Sequence, residues 1–229
     1  MRIQKYIGGT GYCSRREMDR LIKEGRVTVN GTPSELDTIV KPGDVVLVDG
    51  KPLPEIQKPT YIALNKPVGI TCTAAEHVSG NIIEFVEHPS RIFPVGRLDK
   101  ASQGLILMTN DGEIVNKILR SEHGHEKEYV VTVNMPITDD FIRKMSEGVD
   151  IMGVTTKPCK VSRIAEFEFN IILTQGLNRQ IRRMCKALGY EVTRLERIRI
   201  MNIALGRLET GKWRDLTDEE LGGLLSQLT

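Results

Sequence analysis

The chain has 229 residues, 40% hydrophobic and 27% charged, with a formal net charge of +2. That is the make-up of a soluble globular protein with one large domain or a small domain plus a medium one. No apolar run approaches the roughly 18 residues needed to span a bilayer, and no long apolar segment follows Met1-Arg2-Ile3-Gln4-Lys5, so no secretory signal is expected. The cysteines Cys13, Cys72, Cys159 and Cys185 lie far apart with no Cys-x-x-Cys pair. Their spacing argues against a zinc site or a disulfide framework and for a reduced, cytoplasmic setting.

In chain order, Arg2 to Ile7 predicts a short helix with Ile3 and Ile7 on one face, interrupted by Gly8, Gly9 and Gly11. Ser14-Arg15-Arg16-Glu17 has the capping-box pattern, with Ser14 as N-cap and Glu17 reaching back. The helix it opens puts Met18, Leu21 and Ile22 on one side, and Gly25 stops it. Val27-Thr28-Val29 reads as a strand, Asn30-Gly31 and Pro42-Gly43-Asp44 as turns, and Val45 to Val48 as a second strand. Residues 50 to 60 carry Pro52, Pro54 and Pro59 and read as an extended linker. The expected organisation is therefore a first domain at 1–50, a linker at 51–59 and a second domain at 60–229.

Beyond the linker, Tyr61 to Lys66 is a strand running into a turn at Pro67. The apolar run Leu105-Ile106-Leu107-Met108 is a strand that ends in the turn Thr109-Asn110-Asp111-Gly112. Further strands are expected at 128–133, 159–164 and 168–173, and helices at 81–86, 113–120, 138–147 and 179–188. Thr138 opens its helix with Asp139 and Asp140 in the first turn, which suits the helix dipole. Strands and helices mix without regular alternation, so the fold class is α+β rather than a doubly wound sheet. There is no internal repeat.

The net charge does not announce a nucleic-acid binder, and its distribution is more telling, although a basic run is ordinarily a solvated helix face. Between Gly176 and Arg199 stand Arg179, Arg182, Arg183, Lys186, Arg194, Arg197 and Arg199, opposed only by Glu191 and Glu196. Six of these seven are arginines, whose planar forks suit phosphate. Three features could carry chemistry. Asp99 sits in the tight turn Gly96-Arg97-Leu98-Asp99 just before an apolar strand, a way to hold one reactive group rigidly, although such an Asp also serves as a plain turn residue. Tyr129 lies in the strand Glu128 to Val133, where packing is its ordinary role. The turn Gln175 to Asn178 leads into a basic helix, a phosphate or carboxylate site if it is not simply a solvated face. His123 and His125 are close, but no cysteine or third histidine is near, so no metal is expected. No GxGxxG or GxxxxGK[ST] pattern indicates a cofactor.

The run Val95 to Gly112, with Gly-Arg-Leu-Asp, then Ser102-x-Gly104-Leu105, then Thr-Asn-Asp-Gly, closely resembles the catalytic motif of the pseudouridine synthases of the ribosomal small- and large-subunit rRNA branch. Asn65-Lys66-Pro67-x-Gly69, Lys127-x-Tyr129 and Gln175 to Met184 match further motifs of that family. The first fifty residues resemble the alpha-L RNA-binding domain of ribosomal protein S-four type, through Cys13-Ser14-Arg15-Arg16, Gly25-Arg26-Val27-x-Val29-Asn30-Gly31 and Val40-x-Pro42-Gly43-Asp44. Charge alone would not find this unit, since residues 1–50 hold eight basic and seven acidic side chains. The resemblance implies a catalytic domain with a mixed, mainly antiparallel sheet flanked by helices. It makes Asp99 the catalytic aspartate, with Tyr129 stacked on the target base and Arg182 paired with Asp99. Arg15, Arg16, Arg20, Lys23, Arg97, Arg179 and Arg183 would meet RNA. No cofactor or metal is implied, and a monomer is compatible with the surface charge.

Met201-Asn202, where other subgroups commonly have Gly-Pro, and Gly211-Lys212-Trp213-Arg214-Asp215-Leu216-Thr217 resemble the large-subunit synthase F subgroup. This implies modification of 23S rRNA and an association with a tyrosine tRNA anticodon. The alternatives are a non-catalytic RNA-binding or ribosome-assembly protein and a 16S rRNA synthase. Three roles for Asp99 stay open: attack on the sugar, removal of a sugar proton, or attack on the uracil ring.

Overall fold

The chain divides at Thr60: Met1–Thr60 with Pro89–Arg91 forms one unit, and Tyr61–His88 with Ile92–Thr229 the other. The structure, a computed structural model, describes residues 1–75, 77–119 and 124–228. In the first unit, helices α1 (Ile3–Gly9) and α2 (Arg15–Lys23) pack on a sheet of β1 (Val27–Val29), β2 (Thr32–Pro33), β3 (Val46–Val48) and β4 (Lys51–Pro52), in the order β2-β1-β3-β4. Ile3, Ile7, Met18, Leu21, Ile22, Val27, Val46 and Val48 form its core, each contributing about 1.5–3 kcal/mol by leaving water.

Two details of this unit differ from expectation. Gly8 and Gly9 do not interrupt α1 but form its last turn, and Ile56 lies close over Gly9, 3.3 Å from where a Cβ would stand. Ser14 caps α2 by accepting from the Glu17 N–H, but Glu17 does not reach back. Its carboxylate is taken by Arg20 instead. The segment read as linker begins within the sheet, since Lys51–Pro52 pairs with β3, and it then folds back so that the Gln57 N–H donates to Gly9 O.

The second unit is built on a nine-stranded sheet. In chain order its elements are β5 (Tyr61–Lys66), α3 (Ile82–Val86), β6 (Phe93–Pro94), β7 (Gln103–Thr109), α4 (Gly112–Leu119) and β8 (Lys127–Val133). They continue with α5 (Asp139–Glu147), the hairpin β9 (Asp150–Ile151) and β10 (Val154–Thr155), β11 (Lys160–Ala165), β12 (Glu168–Leu173) and α6 (Gln180–Ala187). The chain closes with β13 (Val192–Ile200), β14 (Ile203–Ala204), β15 (Trp213–Asp215) and α7 (Asp218–Ser226). The order is β11-β12-β8-β13-β7-β5-β15, with β14 on β13 and β6 on β7. Among the described strands only β13 and β7 run parallel, so the sheet is mixed and mainly antiparallel, as the family resemblance implied.

One face of this sheet carries two cores. Ile62 and Leu64 of β5 and Ile106 and Met108 of β7 meet Ile82 and Val86 of α3, together with Leu98 and Cys72. Val131, Phe169, Ile171 and Leu195 meet Phe141 and Met145 of α5 and Ile181 and Met184 of α6. Tyr129 packs against both clusters, so it lies at the seam between the two layers. The other face buries Ala63, Leu105 and Leu107 under α4 and α7.

The expected elements at 61–66, 81–86, 128–133, 138–147 and 168–173 are present with shifts of a residue or so at their ends. The expected helix at 113–120 is α4, and its Arg120 end, like His123, lies outside the described residues. The central strand β13 and helix α7 have no counterpart in the sequence reading. β13 carries two register shifts, between Val192 and Arg194 and between Arg197 and Arg199. Each bulge displaces the in–out alternation by one residue, which erases the period-two signal of a strand.

Candidate active site

Asp99 stands on an excursion anchored at both ends to β7. Phe93 and Pro94 pair with Thr109 and Met108, and the Val95 N–H donates to Leu107 O at 2.7 Å. The chain then turns at Gly96, whose φ of +78° suits glycine. Leu98 is buried, and its N–H donates to the Cys72 sulfur at 3.4 Å. Residues 99 to 102 form a tight turn that re-enters β7 at Gln103.

Every carbonyl of this turn is held. Asp99 O accepts from Ser102 N at 3.0 Å and Lys100 O from Gly69 N at 2.8 Å. Ala101 O accepts from Arg182 Nη2 at 2.9 Å, and Ser102 O from Lys66 Nζ at 2.8 Å. The donors come from β5, the turn after it, α6 and the turn itself, so the backbone under Asp99 is fixed from several sides. The half-buried Asp99 carboxylate makes no hydrogen bond or ion pair among the described residues. A rigid turn beneath a carboxylate with unoccupied oxygens is the arrangement a nucleophile or general base requires.

Arg182 is brought to this turn, but not into an ion pair with Asp99 as expected. Its fork divides between Val192 O (Nη1, 3.2 Å) and the pair Ala101 O and Ser102 Oγ (Nη2, 2.9 and 3.2 Å). The geometric reason is that the guanidinium is committed to the backbone carrying Asp99. Its charge still acts on the carboxylate: burial pushes the Arg182 pKa down, and Asp99 opposes that shift.

Strand register adds residues the sequence reading did not single out. Lys66 pairs with Gly104 across β5 and β7, Gly104 with Arg197 across β7 and β13, and Arg197 with Tyr129 across β13 and β8. Residues directly opposite one another point to the same face. Lys66, Arg197 and Tyr129 thus form one row on the face that also carries the Asp99 turn. Lys66 is fully buried, and its ammonium donates to Pro67 O at 2.7 Å besides Ser102 O. Burial pushes its pKa down, and the nearby Cys72 and Asp99 oppose this while Arg197 reinforces it. Arg197, 3% exposed, donates from Nε to Leu105 O at 2.7 Å. Gly104 permits the row, because a Cβ there would lie 2.3 Å from the Arg197 carbonyl oxygen. The one signal of these roles in the sequence is placement, with Lys66 ending a strand before proline and Arg197 standing within the basic run from Gly176 to Arg199.

The other expected RNA-contacting residues are distributed unevenly. In the first unit Arg15, Arg16 and Lys23 are exposed and carry no ion pair among the described residues, while Arg20 is engaged by Glu17 and Glu24. In the second unit Arg97 is exposed, and Arg179, in the left-handed region at φ +51°, is the N-cap of α6 rather than part of it. Arg183 braces the entry to α6 by donating to Asn178 O at 2.9 Å and Asn178 Oδ1 at 3.1 Å. Gln180 closes the same turn by accepting from Leu177 N. Among the described residues no group of three or more His, Cys, Asp and Glu is placed to hold a metal, and no helix is long and apolar enough to cross a membrane.

Residues 60–187 match the family model of the RNA pseudouridylate synthases. The chain belongs to that family. Residues 1–46 match the S4 domain, so this synthase carries an N-terminal S4 domain ahead of its catalytic sheet. It is 56% identical over 223 residues to the dual-specificity RNA pseudouridine synthase RluF of Escherichia coli K12, covering 96% of the chain and 77% of that relative. It is 36% identical to the ribosomal large subunit pseudouridine synthase B of Bacillus subtilis, covering 96% and 93%. A crystal structure of a pseudouridylate synthase superimposes with a TM-score of 0.72 at 29% identity, covering 98% of this chain and 99% of the other. The protein is therefore an isomerase that converts uridine to pseudouridine in RNA.

Proposed function

We propose that this synthase modifies 23S rRNA and a tyrosine tRNA anticodon, using Asp99 as its essential carboxylate. The carboxylate of Asp99, unpartnered on a turn whose four carbonyls are all held, is the observation that carries the assignment. A uridine within RNA cannot reach that group until it is flipped out of its stack. Tyr129, half-buried at the seam of the two cores, offers the ring on which the flipped base stacks. The bond from ring nitrogen to sugar then breaks, the base turns, and ring carbon 5 bonds to the same sugar carbon, its proton leaving while the freed ring nitrogen takes one up. Each of the three roles open to Asp99 needs an ionised carboxylate with a free oxygen, and Arg182 and Lys66 serve it by bracing the turn and supplying positive charge. Arg15, Arg16, Lys23, Arg97 and Arg179 are the side chains best disposed to bind RNA phosphates, with Arg20 and Arg183 partly committed to protein partners.

The likeness to a dual-specificity enzyme supports two RNA substrates, and the likeness to a large-subunit enzyme supports the rRNA assignment over 16S rRNA. A non-catalytic binding protein is not favoured, because it would not need a free carboxylate on a braced turn. We assign the S4-type domain to 1–50 and the catalytic domain to 60–229, joined by 51–59, which pairs with and folds back onto the first unit, and place a monomeric enzyme in the cytoplasm. The test is tritium release from uridine labelled at ring carbon 5, in 23S rRNA and in tyrosine tRNA. Wild type should release tritium from both. Asp99→Ala and Asp99→Asn should release none while keeping most of the RNA affinity. Residual turnover by either variant would remove Asp99 from its role, and inert 23S rRNA would overturn the substrate assignment.

A further inference from the structure

The row of side chains beside the Asp99 turn contains more positive charge than its protein partners answer. Lys127 precedes Tyr129 by two residues on β8, so both side chains point to the same face, about 7 Å apart at two strand rises. The opposite residue on β12 is Leu173, a member of the buried core on that face. Lys127 is half-buried, and it has no hydrogen bond or ion pair among the described residues. Arg197, directly across from Tyr129, is 3% exposed, and its Nη2 is buried with no partner. Burial pushes the Lys127 pKa down, and the Arg197 charge pushes it the same way, so the two cations lie close enough to repel. Lys66 is buried in the same row, where Asp99 and Cys72 oppose the lowering of its pKa, and neither acts on Lys127.

A half-buried ammonium and a buried guanidinium nitrogen without acceptors are costly to keep in a folded protein unless a ligand completes them. We propose that Lys127 and the Nη2 of Arg197 form an anion subsite that takes a phosphodiester of the flipped nucleotide while its base lies against Tyr129. The inference rests on the reading of Asp99 and Tyr129 given above, and adds the group that holds the backbone of the nucleotide. The spacing suits this division, since a nucleotide separates its base from its phosphate by one sugar, and β8 separates Tyr129 from Lys127 by one residue. Lys127 would thereby fix the register of the target along the RNA, because a phosphate contact positions a nucleotide without reading its base.

The test compares wild type, Lys127→Met and Lys127→Arg by RNA binding across a salt series, by turnover and by thermal unfolding, using a 23S rRNA transcript as probe. The subsite predicts that Lys127→Met lowers the slope of log affinity against log salt by about 0.7–0.9, the value of one phosphate contact. It also predicts a KM about tenfold higher with kcat changed less than threefold, and restoration of both slope and KM by Lys127→Arg. Tm of Lys127→Met should equal or exceed that of wild type, since the change removes an unpaired, half-buried charge. An unchanged salt slope, a lower Tm, or a loss confined to kcat would overturn the subsite. Failure of the Asp99 assignment is read separately, because it shows in tritium release by the Asp99 variants and leaves the salt slope of Lys127→Met untouched.

Discussion

Gly104→Ala tests whether the row from Lys66 to Tyr129 depends on close approach of β7 and β13. Gly104 has φ +104°, and an added Cβ would lie 2.3 Å from Arg197 O and 2.6 Å from Arg197 N. Both contacts are with backbone in a paired strand, so no side-chain rotation relieves them. A non-glycine residue in such a conformation costs about 1–3 kcal/mol, and forcing packed strands apart costs a further 1–3 kcal/mol or so. The total of roughly 2–6 kcal/mol is a large part of a typical stability of about 5–15 kcal/mol. The chain contains a single tryptophan, Trp213, which lies on β15 of the same sheet. Its fluorescence in urea should therefore report this unit, with a midpoint lower by roughly 0.7–3 M if m is about 2–3 kcal/mol/M. Turnover at low urea should fall at least about tenfold, because displacement of Arg197 and Tyr129 from the Asp99 turn by even 1 Å misaligns the target. Gly206→Ala is the control: its φ is +57° with nothing within 4 Å of an added Cβ, so it should cost only about 1 kcal/mol. If Gly104→Ala matched Gly206→Ala in midpoint and kept full turnover, the argument from close strand approach would be wrong.

Two further outcomes follow from the bonding of the site. Arg182→Lys should lower kcat by about 10–100-fold, because one ammonium cannot span Val192 O, Ala101 O and Ser102 Oγ, and a lost charged hydrogen bond is worth about 1.5–3 kcal/mol; near-wild-type kcat in a single-turnover assay would show that the brace is dispensable. Glu128 is held below the ordinary glutamate range chiefly by its hydrogen bond from Arg199. A carboxylate lowered in the folded state adds stability that is present above its unfolded pKa of about 4.3 and lost as pH falls through the folded value. Thermal unfolding of wild type should therefore weaken below about pH 4.5 more steeply than that of Glu128→Gln, and parallel acid limbs for the two proteins would contradict the assignment.

Much of this protein is written locally. The helix starts at Ser14, Asn81 and Thr138, the Asn30-Gly31 turn, and the mixture of strands and helices that defines α+β follow from capping, turn chemistry and hydrophobic spacing, which act over a few residues. The Gly-Arg-Leu-Asp turn likewise marks Asp99 before any fold is known. Tertiary structure decided what surrounds that aspartate. Arg182 braces the turn's carbonyls instead of pairing with the carboxylate, because α6 delivers its fork to Ala101 and Ser102. Lys66, Gly104, Arg197 and Tyr129 are separated by tens of residues and become neighbours only through strand register. The strand that joins them, β13, hides its period behind two bulges. Short-range rules can place a strand or a turn, but the partner of each backbone hydrogen bond is chosen by the packed sheet as a whole, and here that choice built the site.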